Sequence, residues 1–130
     1  MIDQKERATM QIKQDYIMKQ IQQLIEVLFG DLLRKKEKTT EYSTVLESEK
    51  LTKLLDLVEN YEINQAENIL FETIDKNRLE DFEVALQFYQ KINEKDDTFL
   101  AKANYTREEI RQGIQDIAKI YGKEEWTTLF

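Results

Sequence analysis

Cysteine, histidine and proline are all absent from the 130 residues, and glycine occurs only three times, as Gly30, Gly113 and Gly122. Without thiols there is neither a disulfide framework nor a thiolate nucleophile. Without imidazole, a Ser-His-Asp triad and a Cys-His pair are both out of reach. The same absences remove the ordinary zinc ligand sets and the helical Glu-x-x-His di-iron motif. Three isolated glycines cannot form a phosphate-cradling loop. Apolar residues never run more than three together, as at Val27-Leu28-Phe29, so no segment is expected to span a bilayer. The opening Met1-Ile2-Asp3-Gln4-Lys5-Glu6-Arg7 lacks the basic stretch and apolar block of a signal peptide, which makes the cytoplasm the expected location. Carboxylates, amines, phenols and hydroxyls remain for chemistry, and on that inventory a non-enzymatic protein without a cofactor is expected.

The residues that are present favour a folded helical domain. Hydrophobic residues make up 41% and charged residues 35%, with six Tyr, six Phe and one Trp available for burial. Few helix breakers and abundant Gln, Glu, Lys, Leu and Ile select helix over sheet. The net charge of −7 arises from 26 acidic against 19 basic residues, so a phosphate backbone is repelled at long range and nucleic acid is not an expected partner. Arg34, Lys35, Lys36 and Lys38 form a local basic cluster broken by Glu37. Its simplest reading is a set of cations meeting the negative end of a helix dipole.

Periodicity divides the chain into five amphipathic segments. Residues 1–12 are polar and read as an extension. From about 14 to 36, Ile17, Ile21, Leu24, Leu28 and Leu32 follow helical spacing, while Tyr16, Met18, Ile25, Phe29 and Leu33 widen the stripe beyond what one neighbour would cover. Gly30 is expected to kink this helix or to end its main part. Four capping-box spacings then precede four apolar stripes: Thr44 with Glu47, Asn64 with Glu67, Asn77 with Glu80, and Thr106 with Glu109. Residues 98–102 read as a short helical turn, and Gly122 occupies the position of a left-handed C′ residue. Short connections force antiparallel neighbours. The expected fold is therefore all-α, a long N-terminal helix packed with two antiparallel αα-hairpins. A single helical domain covers residues 13–122, followed by an apolar tail at 123–130, docked through Trp126, Leu129 and Phe130. Residues 51–74 look like one tetratricopeptide-type hairpin. Asn60-Tyr61 and Asn104-Tyr105 recur 44 residues apart, but no second copy of the hairpin follows at its spacing.

Three stretches carry a family resemblance: 15–18 running to Leu28-Phe29-Gly30, then Asn64-Gln65-Ala66-Glu67-Asn68-Ile69-Leu70-Phe71, then Asn104-Tyr105-Thr106-Arg107-Glu108-Glu109-Ile110. Over residues 13–121 the chain resembles a family of small all-helical bacterial proteins of unknown function, found mainly in Gram-positive species. The resemblance implies a tetratricopeptide-like helical fold and brings no activity, ligand or catalytic residue with it.

Two functional readings follow from the residues themselves. The first is a helical interaction module with a protein or peptide partner, a second copy of the chain among the candidates. Its surface is drawn from the broad stripe of the first helix: Ile17, Ile21, Leu24, Ile25, Leu28 and Phe29. The same stripe is equally accounted for by burial across both hairpins within one chain. The second reading is a magnesium-dependent enzyme resembling helical nucleotide pyrophosphohydrolases. There, Glu59 with Glu62 and Glu72 with Asp75 would supply carboxylate pairs at i, i+3 spacing for a hard cation. Phe82, Phe88, Tyr89, Phe99 and Tyr105 are grouped closely enough to line a pocket, although helical spacing assigns them to the core.

Overall fold

The computed structural model of the chain describes residues 4–37 and 48–128. Seven helices follow in order: α1 (Gln4–Glu37), α2 (Glu49–Glu59), α3 (Ile63–Thr73), α4 (Leu79–Asn93), α5 (Asp97–Lys102), α6 (Arg107–Ile120) and α7 (Glu124–Thr127). No strand occurs among the described residues, so the fold is all-α. α2 packs on α3 across a short turn, and α4 packs on α6 with α5 between them in sequence. α1 lies against both α4 and α6, and α7 closes on α6 and α1.

The core follows from the spacing of the apolar residues. Leu51, Leu54 and Val58 of α2 face Ile63, Ala66 and Leu70 of α3, each set one helical turn apart and buried. α4 is the central element, because α1, α2 and α6 all pack against it. Burial therefore reaches beyond Phe82, Ala85, Leu86, Tyr89 and Ile92 to Val84 and Phe88. Four of the five clustered aromatics, Phe82, Phe88, Tyr89 and Tyr105, are core residues, and Phe99 is partly buried against the core.

α4 and α6 approach closely at Gly113. A Cβ built there would run into Tyr89 at Oη and Cζ, so the phenol ring occupies the space a side chain would need. Three helices end in the same way. The amides of Glu62, Tyr105 and Lys123 reach back to the carbonyls of Leu57, Leu100 and Ala118 at 2.9, 3.0 and 2.7 Å. Each closure needs one left-handed residue, supplied by Tyr61 (φ 63°), Asn104 (φ 54°) and Gly122 (φ 70°). The Asn60-Tyr61 and Asn104-Tyr105 pairs both fall in such closures but one position out of register, the left-handed residue being the second of one pair and the first of the other.

Several expected boundaries move. α1 runs through Gly30 to Glu37 and so is neither ended nor capped there. Thr44 and Glu47 lie outside the described residues, and the side chain that caps α2 is Ser48, whose hydroxyl accepts from the Leu51 amide at 3.4 Å. Asn64 with Glu67 and Asn77 with Glu80 do not form capping boxes. The first turn of α3 starts from Glu62 and that of α4 from Arg78, neither with a side-chain cap. Only Thr106 with Glu109 closes both reciprocal bonds. Glu67 is drawn instead to two tyrosines, and Glu80 pairs with Arg78 at 3.1 Å.

Candidate interaction groove

α1 carries two apolar stripes side by side, and they have different fates. Ile21, Leu24, Leu28 and Leu32 are at most 2% exposed and belong wholly to the monomer core. Within the single chain, Ile21, Leu24, Ile25 and Leu28 of the expected surface are buried, and Ile17 and Phe29 are partly buried against the core. They are covered because α1 lies in the angle between α4 and α6, which together span more of its circumference than one hairpin would.

The second stripe, about one position further round the helix, is left incomplete. Met18, Gln22, Ile25, Glu26, Phe29, Gly30 and Leu33 form one wall of a groove of about 490 Å³. Gln90, Asn93 and Glu94 near the C-terminal end of α4 form the other wall. Leu33 is 54% exposed, one of the few large apolar side chains so open to solvent. Glu26 and Glu94 stand exposed at the rim, Glu94 paired with Lys91 at 3.6 Å. Gly30 faces open space, with nothing within 4 Å of where a Cβ would stand.

The α4 wall is held by a buried polar clamp. Asn93, 5% exposed, donates through Nδ2 to the Met18 carbonyl at 3.0 Å and so ties α4 to α1 at the head of the groove. Arg107, also 5% exposed, donates through Nη1 to both the backbone oxygen and Oδ1 of Asn93, each at 3.0 Å. Its Nη2 donates to the Lys95 carbonyl at 2.8 Å, and its Nε to Asp97 Oδ1 at 3.3 Å. A planar guanidinium suits this task, since one rigid fork serves several acceptors at once. Neither residue stands out in the sequence. Arg107 reads as an ordinary first-turn residue after a capping threonine, and its burial becomes visible only when α6 meets the end of α4.

Elsewhere, polar groups satisfy each other. Tyr89 and Tyr105 both donate to Glu67 Oε2, at 2.6 and 2.7 Å. Burial, reinforced by that carboxylate, pushes both phenols far above their usual range. Tyr121 moves the same way, through burial and then the charges of Asp81 and Asp75. A polar cleft of about 370 Å³ beside α2 and α4 contains Ser48, Lys50, Thr73, Arg78 and Asp81. Asp81 occupies it as an internal anion, accepting from the Asp75 amide at 2.9 Å and from Lys50 Nζ at 3.4 Å.

At the other end of α1, Asp31 lies 2.9 Å from Lys123 and 3.5 Å from Arg34. Contact with Asp31 raises the Lys123 amine, and the adjacent Lys123 in turn lowers Lys35. Of the basic cluster, Arg34 is paired with its own helix and Lys35 adjoins the α6–α7 turn, while the side chains of Lys36 and Lys38 lie outside the described residues.

The four carboxylates of the magnesium reading do not converge. Glu59 sits at the end of α2 and pairs with Lys95, while Glu62 precedes the first turn of α3. Glu72 lies near the opposite end of α3, and Asp75 follows it, accepting the Asn77 amide at 2.9 Å. The ten residues from Glu62 to Glu72 span about 15 Å of helix, too far to share one cation. Among the described residues no group of three or more carboxylates is arranged to hold a metal ion.

No described helix is long and apolar enough to cross a membrane. No curated protein and no solved structure matches the chain. A family model does match, over residues 11–122, which takes in the groove, the clamp and the whole hairpin core. The chain belongs to the family of unknown function DUF6483.

Proposed function

We propose that this chain is a non-enzymatic helical interaction module that associates through the α1–α4 groove. The observation that carries the reading is Gly30. A glycine in the interior of a helix costs roughly 0.5–1 kcal/mol relative to alanine, and nothing in the monomer requires the missing side chain at this position. A helix packed closely over the groove would require it. The half-buried Met18 and Phe29 and the exposed Leu33 supply apolar contacts on the same face. Such a surface fits helix-in-groove recognition, where an amphipathic helix lays its apolar face between two others. The α2–α3 hairpin, with its short turn and facing apolar stripes, supports a tetratricopeptide-like description of that part of the fold.

Light scattering on the wild type and on Gly30→Leu tests this function. A Cβ at position 30 has no neighbouring atom within 4 Å, so helical content should be retained while association is lost. Equal association by the two proteins, with both folded, would overturn the reading.

A further inference from the structure

We propose that α7 is a hinged strap that opens on its own: Gly122 is the hinge, the Asp31–Lys123 ion pair the latch, and Lys35 a rival amine that keeps the latch weak. This goes beyond the groove reading and does not depend on it.

The hinge follows from the backbone. α6 ends at Ile120 and α7 begins at Glu124, so a short joint connects them. Gly122 supplies its left-handed turn (φ 70°), a conformation that glycine adopts without steric cost. Nothing stands within 4 Å of where its Cβ would be, so no packed side chain fixes the joint at this residue.

α7 has little to hold it closed. Its four residues are too few for a self-supporting helix, none of them is fully buried, and no side chain caps its first turn. Two side chains tie it to the body: Trp126, partly buried against the core, and Lys123, 2.9 Å from Asp31 Oδ2. α7 also lies beyond the family match at residues 11–122, so what it straps down is the matched core.

The latch is poised rather than tight. The Lys123 and Asp31 side chains are only 15% and 14% exposed, so each has given up most of its water. Asp31 Oδ2 is shut off from solvent without a directed hydrogen bond, which leaves the Lys123 amine to compensate its charge. Opening returns both groups to water, and that hydration offsets much of the lost attraction. Lys35 stands against Lys123 and also faces Asp31, repelling the one and competing for the other. Arg34 approaches the second Asp31 oxygen at 3.5 Å, and Glu125 adds a smaller attraction for Lys123.

Trypsin reads the strap directly, because it cuts after lysine and arginine and needs an opened backbone to do so. When reclosing is fast, the cutting rate follows the population of the open form. Arg111, in the middle of α6, reports unfolding of the body. Initial rates on the intact wild type should show cutting after Lys123 well ahead of cutting after Arg111. Asp31→Asn should speed the cut after Lys123 roughly tenfold, between the effects of losing an exposed and a buried ion pair, and leave Arg111 unchanged. Lys35→Met, at an exposed position, should slow the same cut. A general change in stability would instead move both sites together. Wild-type cutting at Lys123 and Arg111 in step would overturn the strap. Unchanged rates at Lys123 in both variants would overturn the latch. Should Asp31→Asn fail to fold, Lys35→Met decides alone, and an equal or faster cut after Lys123 overturns the proposal.

Discussion

Single residues set sharp local limits in this protein, and Gly113 sets the sharpest. Gly113→Ala would force the Tyr89 ring aside in a fully buried contact between α4 and α6. Overpacking of this kind costs about 1–3 kcal/mol, and urea unfolding should show a lower midpoint with an unchanged slope. The tyrosines give a pH signature. Tyr89, Tyr105 and Tyr121 all have pKa values raised by folding, so the native state holds their protons more tightly than the unfolded chain. That contribution is fully present below the unfolded value of about 10 and is lost as pH climbs above it. Each of the buried Tyr89 and Tyr105, kept neutral in the fold, steepens the decline by about 1.4 kcal/mol per pH unit, and the more open Tyr121 by less. Urea midpoints measured across this alkaline range should therefore fall steeply. Tyr89→Phe combined with Tyr105→Phe should flatten the decline. A slope equal to the wild type's would show that these two phenols are not held neutral.

At the scale of elements, α1 departs most from expectation, and the reason is physical. Periodicity identifies its apolar face but not how that face is shared, because coverage depends on the angle at which α4 and α6 meet it. Gly30 similarly reads as a breaker in sequence. In the fold, α1 continues through it to Glu37, and the helix as a whole packs on α4, α6 and α7. Gly30→Ala should accordingly stabilise the monomer by about 0.5–1 kcal/mol, visible as a higher thermal midpoint at low protein concentration. A destabilised variant would contradict the open space around this position.

Capping signals were a better guide to where helices lie than to how they are capped. Thr106 and Glu109 form their box because both stay exposed beside the helix end. Glu67 has the right spacing but stands where two buried phenols need an acceptor, and that demand outweighs a solvent-exposed cap. The all-α class, the α2–α3 hairpin and the α6 stripe were legible from spacing alone. The groove was not, because it depends on Asn93 and Arg107, whose partners lie 75 and 14 residues away.

The whole molecule is organised around α4, and most of what surrounds it falls within the family match at residues 11–122. α7 lies beyond that span, yet Trp126 packs partly against the core and Lys123 pairs with Asp31. Truncation after Gly122 removes both contacts and should cost about 1–2 kcal/mol, from half a large side chain's burial and one shielded ion pair. Denaturant titration of the truncated chain against the full one measures it, and equal stability would show that α7 is bystander structure.

Trp126 is also the only indole in the chain, and its position gives the protein an optical consequence. Excitation selective for tryptophan reads out the junction of α1, α6 and α7 alone. Undocking of the last helix should shift that emission to the red before any loss of helical ellipticity. An event confined to the Met18 end of α1 should leave the spectrum as it was. The fold thus carries a built-in fluorophore that separates detachment of its terminal helix from events at the distant end of its longest one.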